Sequence, residues 1–352
     1  MIALPRASAA APPGSQDPGG RAPQVAIWLF VVAAFVYLMV VVGGATRLTG
    51  SGLSITEWRP VTGALPPLSQ AAWAEAFAKY RASSQYRLIN QGISLGQFQI
   101  LFWWEWAHRL LGRSVGLVFF LPFAVFLALR KIPRLLILPC VGLFALGGLQ
   151  GLVGWWMVQS GLEGRAAVAP ERLATHLGLA LFLLASLVWV ALDAWNTAPS
   201  VHPAHRRSVG VRGLTLVFGA GVYLQCLMGA LVAGNGAGLI DGDWPLMAGR
   251  LFPVDYWHGG VWETFGHGRS AVQFNHRVMA YGLLVLGAVP AVVRGRGRAH
   301  ARLTFVLLVL QAGLGVSALL YGDPLWLALL HQANAALVLI AATVLVRRTL
   351  EE

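Results

Sequence analysis

A carboxylate and an imidazole stand three residues apart at Glu105 and His108, at the head of an apolar run that continues to Leu129. On a helix the two share a face. Inside a membrane such an ionisable pair is costly, and its presence there points to function. Three more histidines, His176, His276 and His331, also stand near the heads of apolar runs. Two imidazoles on opposite sides of a flat macrocycle make bis-histidine axial ligation of haem iron, so two such pairs suit two haems. A helix–helix hydrogen bond would account for one pair. It accounts poorly for two pairs in equivalent positions. Zinc favours four tetrahedral ligands, often with cysteine or carboxylate, and only one acid is near. Glu-x-x-His also occurs in di-iron bundles, but those need further acids on partner helices.

The elements that must position these side chains are membrane spans. The 352 residues are 57% hydrophobic and 11% charged, which excludes a soluble domain of this size. Apolar runs fall at about 25–43, 103–129, 134–157, 171–195, 213–233, 270–293, 302–321 and 325–346. The fold class expected is an all-α membrane protein of about eight transmembrane helices. The net charge of +12 is no nucleic-acid footprint, because the basic residues gather in short loops. With the tail, those at Arg130, Lys131, Arg134, Arg206, Arg207, Arg212, Arg294, Arg296, Arg298, Arg302, Arg347 and Arg348 far outnumber the acids on their side. The positive-inside rule then makes the protein multi-pass with both termini cytoplasmic. Residues 1–24 lack a signal-peptide core and read as a disordered cytoplasmic tail.

A repeat relates the halves. Gly44-Ala45 matches Gly229-Ala230, and Trp106 to Arg109 matches Phe274 to Arg277. Leu149 to Gly154 matches Leu310 to Gly315, and His176 matches His331. Four spans per half make the repeat parallel, so two four-helix bundles are expected, 25–196 and 213–348. Each histidine falls five or six residues past its expected helix start, which puts all four roughly 8–9 Å below the outer boundary.

Arg109, Arg113 and Arg277 are candidates for pairing with haem propionates; for Arg113 a phospholipid headgroup serves equally. Gly147, Gly148, Gly151, Gly154, Gly313 and Gly315 admit a bulky ligand or a neighbouring helix. Trp103, Trp104, Trp106, Trp155 and Trp156 form an aromatic belt or a pocket wall. The halves differ where it matters: Gln273 stands where Glu105 stands. One half then reads as a reaction site with an acid–base group and the other as a redox relay. Simple pairing of Glu105 with Arg109 is the alternative. In the first long loop Ser69 should cap an amphipathic interfacial helix bearing Trp73, Phe77 and Tyr80. That loop and the second, about 234–269, either roof a site or merely connect. Cys140 and Cys226, both within apolar runs, read as inert thiols. His202, His205, His258, His267 and His300 have ordinary loop explanations.

At these residues the sequence resembles the haem A synthase family over nearly the whole chain after the tail. The resemblance rests on Gly43 to Ser54, Glu105 to Arg109, Asn275-His276-Arg277, Trp244 to Met247, His176 and His331. It implies oxidation of the C8 methyl of haem O to a formyl group, giving haem A for cytochrome oxidase. It implies His108 and His176 as ligands of the substrate haem, His276 and His331 as ligands of a haem B cofactor, and Glu105 in the chemistry. With no cysteine pair in an outer loop, the chain resembles the cysteine-poor proteobacterial and mitochondrial branch. A bacterial inner membrane is the expected location. An electron donor or acceptor, haem O synthase, cytochrome oxidase assembly factors, the lipid bilayer and a second copy of the chain are the partners the resemblance suggests. A quinol-linked di-haem electron-transfer cytochrome is the runner-up, and a haem transporter the third reading.

Overall fold

The computed structural model describes residues 22–196, 209–292 and 298–351. Residues 1–21 of the expected tail lie outside that range, as do His202 and His205. Among the described residues every regular element is helical, apart from one isolated bridge between Met247 and Arg250. Eight helices are long: α1 (Pro23–Leu48), α4 (Leu95–Ala128), α5 (Arg134–Leu162), α6 (Pro170–Asn196), α7 (Val209–Gly234), α9 (Arg269–Val292), α10 (Arg298–Leu320) and α11 (Leu325–Glu351). Between them lie α2 (Gln70–Arg81), α3 (Ser84–Leu88) and the single turn α8 (Gly260–Trp262).

Seven of the eight are long and apolar enough to cross a membrane, making this a multi-pass membrane protein. The exception is α9, whose first three turns carry Arg269, Gln273, Asn275, His276 and Arg277. Local signals set the ends. Pro23 sits in the first turn of α1 and Pro170 opens α6, where no intrahelical N–H is needed. Ser94 and Gln97 form a reciprocal capping box on α4. At the end of α10, Gly322 (φ 72°) and Asp323 (φ 56°) turn the chain back before Pro324.

α4 differs from expectation. It begins eight residues before the anticipated 103 because its extra turns are held by protein rather than lipid. Trp73, Phe77 and Tyr80 of α2 pack on Phe98 and Phe102, with ring centroids 4.9–6.5 Å apart. The Ser69 cap on α2 is present. The stripe packs on α4, where Tyr80 is fully covered and Trp73 and Phe77 are half-buried.

α1 and α6 form the centre. α1 packs on α4, α6 and α11; α6 packs on α5, α7 and α11; α7, α9, α10 and α11 pack in turn on one another. Ala26, Ala33, Ala191, Ala194, Ala336 and Ala342 are buried along this centre, and small residues there let backbones approach. The seam between α1 and the second set of helices is tied by polar groups. Gln332 donates to the Val40 carbonyl at 2.6 Å and Arg47 to the Ala233 carbonyl. At the opposite end Arg347 pairs with Asp193 at 2.6 Å. One difference between the halves stands out: α9 and α10 pack closely, whereas their counterparts α4 and α5 touch sparingly.

Candidate functional site

The four histidines sit on α4, α6, α9 and α11, and all four are half-buried. His108 lies within electrostatic reach of His176, and His276 of His331. The His276 and His331 rings are 6.5 Å apart, centre to centre. His176 and His331 lie six residues past their helix starts, within the expected five or six, and His276 lies seven past. His108 lies deeper in its helix because α4 starts earlier.

Each ring rests on a glycine of a neighbouring helix. A Cβ on Gly154 or Gly315 would lie 2.8 Å from Cε1 of His176 or His331. On Gly229 it would lie 3.2 Å from His276 Cε1, and on Gly43 it would lie 3.1 Å from His108 Nε2. These contacts shift one repeat correspondence: Gly229 answers Gly43, not Gly44. Gly154 and Gly315 do admit a neighbour closely, as expected. A Cβ on Gly147, Gly148, Gly151 or Gly313 meets open space.

Three glutamines that sequence reasoning left without a role reach the same rings. Nε2 of Gln150, Gln225 and Gln311 lies 3.1, 3.0 and 3.1 Å from Nδ1 of His176, His276 and His331. Gln150 and Gln225 also donate to their histidine's backbone carbonyl, at 3.0 and 2.9 Å. Each glutamine stands four residues before the glycine under its ring. That spacing was the available signal.

These residues fit haem on three counts. Iron with an imidazole nitrogen about 2 Å away on each side needs ring centres roughly 6 Å apart, and the His276–His331 separation matches. Glycine leaves the rings room. A histidine that gives one nitrogen to iron keeps a proton on the other, which wants an acceptor. The side-chain Oε1 of Gln150 and of Gln225 is buried without a partner, and rotation of either amide offers that acceptor in exchange for its bond to the histidine carbonyl.

Glu105 is buried and saturated. One oxygen accepts from Arg109 Nε at 3.0 Å and Nη2 at 2.6 Å; the other accepts from Ser54 Oγ at 2.8 Å and the Ile55 N–H at 2.7 Å. Gln273 occupies the same place in the second half. There it accepts from Arg277 at 3.0 Å and donates to the Ala237 carbonyl at 2.9 Å. The first loop presents donors where the second presents a carbonyl, so the acid-for-amide difference also matches the polarity of each loop.

Both arginines that follow a histidine hold loop backbone. Arg109 donates to the Ile55 and Glu57 carbonyls at 2.7 and 2.8 Å. Arg277 donates to the carbonyls of Asp241, Asp243 and Leu246 at 2.8–3.1 Å. Arg113 donates to the carbonyls of Arg59 and Pro60, and its Nη1 is buried without a partner. The two long loops are therefore fastened one turn from the histidines. Trp58 extends the first loop across to α5 by stacking on Trp155 at 5.7 Å. In the second loop the N–H of Gly249 holds the Asp243 carboxyl below its ordinary range; slight burial opposes it and the Ala248 N–H assists. His258 is exposed, and His267 comes only within 4.0 Å of Glu171. Both cysteines are free thiols.

Residues 26–343 match the model of the COX15-CtaA family, described as cytochrome oxidase assembly protein. The chain belongs to that family. Among similar proteins, the heme A synthase of Caulobacter vibrioides is 54% identical over 92% of this chain and 95% of its own length. The heme A synthase of Methylorubrum populi is 50% identical over 95% of this chain and 88% of its own. That of Hyphomonas neptunium is 48% identical over 87% of each. All four histidines and Glu105 lie inside the stretch that the COX15-CtaA match covers.

Proposed function

We propose that this chain is the enzyme that oxidises the C8 methyl of haem O to a formyl group, yielding haem A for cytochrome oxidase. The observation that carries the reading is the arrangement of four histidines on four helices in a chain about half identical to proteins named heme A synthase. Two pairs of rings, each ring seated on a glycine, provide two places for a porphyrin.

The finer assignment is as follows. The bundle of α1, α4, α5 and α6 takes the substrate haem O through His108 and His176. The bundle of α7, α9, α10 and α11 holds haem B through His276 and His331. Haem B, when bound, supplies one-electron redox capacity. The sparing contact between α4 and α5 supports sideways entry of the substrate from lipid, with its apolar tail trailing outward. The close α9–α10 packing supports a resident cofactor.

Glu105 acts as a fixed negative charge. Its four accepted hydrogen bonds leave it no free direction for a mobile proton. It orients Arg109, clamps Ser54 and Ile55 over the pocket, and favours positive charge developing on the substrate. Arg113, with an unpartnered donor, is the arginine best placed to meet a propionate. Arg109 and Arg277 do so only through donors they do not already spend on the loops. The short basic loops support cytoplasmic termini in a bacterial inner membrane. An external electron partner, haem O synthase and oxidase assembly factors are the proposed partners.

The test is the haem composition of the purified protein from cells making haem O. The expected result is haem B plus haem O or A, with haem B lost on His276→Ala or His331→Ala. Haem B alone in both pockets, with no haem A formed, would favour the di-haem electron carrier. A protein without haem would favour the transporter.

A further inference from the structure

The four histidines are not held alike. Four residues before the glycine under each ring stand Gln150, Gln225 and Gln311, and, at the fourth position, Met39 before Gly43. The three glutamines each bring an amide to within 3.1 Å of a ring nitrogen. Met39 has no N–H or carbonyl to bring, and its methyl group instead lies 3.4 Å from the Cβ position of Gly112 on α4. At His331 the amide is oriented by a second residue: Asn334 Nδ2 donates to Gln311 Oε1 at 2.8 Å and to the Leu307 carbonyl at 3.0 Å, which turns the Gln311 NH2 toward the ring. Asn334 lies three residues after His331. Three residues after His176 the chain has Leu179, and Gln150 Oε1 is left without a partner.

A hydrogen bond to the far nitrogen fixes a ligating imidazole in orientation and tautomer, and its loss typically weakens metal affinity roughly 10–100-fold. Three of the four rings therefore have a glutamine amide beside them, and His108 has none. We infer that His108 is the releasable axial ligand: Met39 in place of a glutamine lets its ring leave the iron, so the first pocket can take in one haem and give up another. The inference rests on the reading of the four histidines as haem ligands. The open α4–α5 seam lies on the same helix as His108.

The test uses the full-length purified protein saturated with haem B as the probe in both pockets. Haem transfer to excess apomyoglobin is followed by absorbance, and spin state by electron paramagnetic resonance. Two release phases are expected in the wild type, the fast one absent in His108→Ala. Met39→Gln should slow the fast phase at least roughly 10-fold and convert its high-spin signal to low-spin, leaving the slow phase unchanged. The reciprocal Gln225→Met should accelerate the slow phase and serves if Met39→Gln folds poorly. Unchanged fast-phase release and spin state in Met39→Gln, or an unaltered slow phase in Gln225→Met, would overturn the inference. Retention of both haems in His108→Ala and His276→Ala would instead overturn the ligand assignment beneath it.

Discussion

Replacing Glu105 by glutamine changes one atom pair and copies the residue at the equivalent position, Gln273. The structure says the copy will not work. Both Glu105 oxygens face donors: Arg109 on one side, Ser54 and Ile55 on the other. An amide keeps one acceptor and turns its NH2 on the other set. If the carbonyl keeps Arg109, the Ser54 hydroxyl can rotate to accept, but the Ile55 N–H cannot. One buried donor is then orphaned, at about 1–3 kcal/mol. Arg109, only 18% exposed in its side chain, also loses its counter-charge. Removing one partner of a buried pair costs about 3–5 kcal/mol, here reduced to about 2 because Arg109 retains its loop carbonyls and some solvent. The sum, roughly 3–5 kcal/mol, raises the undocked fraction of the first loop more than about a hundredfold. Hydrogen exchange over residues 51–60 reads the docking, and the ratio of haem A to haem O in extracted membranes reads the chemistry. Faster exchange with a low haem A ratio is expected. Loss of haem A with exchange unchanged would assign Glu105 to charge stabilisation alone. A wild-type ratio with wild-type exchange would refute the reasoning altogether.

The remaining predictions concern the seats, the fixed ligand and one titrating contact. Gly154→Ala and Gly315→Ala place a methyl 2.8 Å from a histidine carbon; each should empty its own pocket, read as loss of roughly half the bound haem in the pyridine haemochrome spectrum. Asn334→Leu frees Gln311 Oε1 to accept from the His331 ring and should slow haem release from the second pocket, without altering the first. Asp323 lies in the turn before α11, where burial raises its carboxyl above the ordinary 3.8 and Arg47 opposes the shift. The folded state therefore holds the proton more tightly than the unfolded. Its stabilising contribution is full below 3.8 and fades as pH rises through the folded-state value. Thermal unfolding in detergent should show this decline, and Asp323→Asn should flatten it.

What could be read from the sequence, and what could not, follows from the kind of signal each feature leaves. Spans are written in composition, so eight helices were legible, α9 included, although its polar first turns keep it from qualifying on apolarity alone. The histidines were legible because a polar residue at fixed depth in apolar sequence has few ordinary uses. The start of α4 was not, because lipid and protein cover an aromatic stripe equally well; only the packing of Trp73, Phe77 and Tyr80 on Phe98 and Phe102 shows which one does. The arginines beside the histidines were legible as cations near the helix heads, yet their donors are mostly spent on carbonyls of loops distant in sequence. No periodicity announces a backbone acceptor. The glutamines fall between these cases. Residues four apart on one helix share a face, so a Gln-x-x-x-Gly pattern on three helices, broken at Met39, was visible as spacing. Its meaning was not, since it depends on a ring supplied by a different helix. The sequence exposes what each helix presents, whereas the asymmetry that separates a resident ligand from a releasable one lies in what the neighbouring helix presents back.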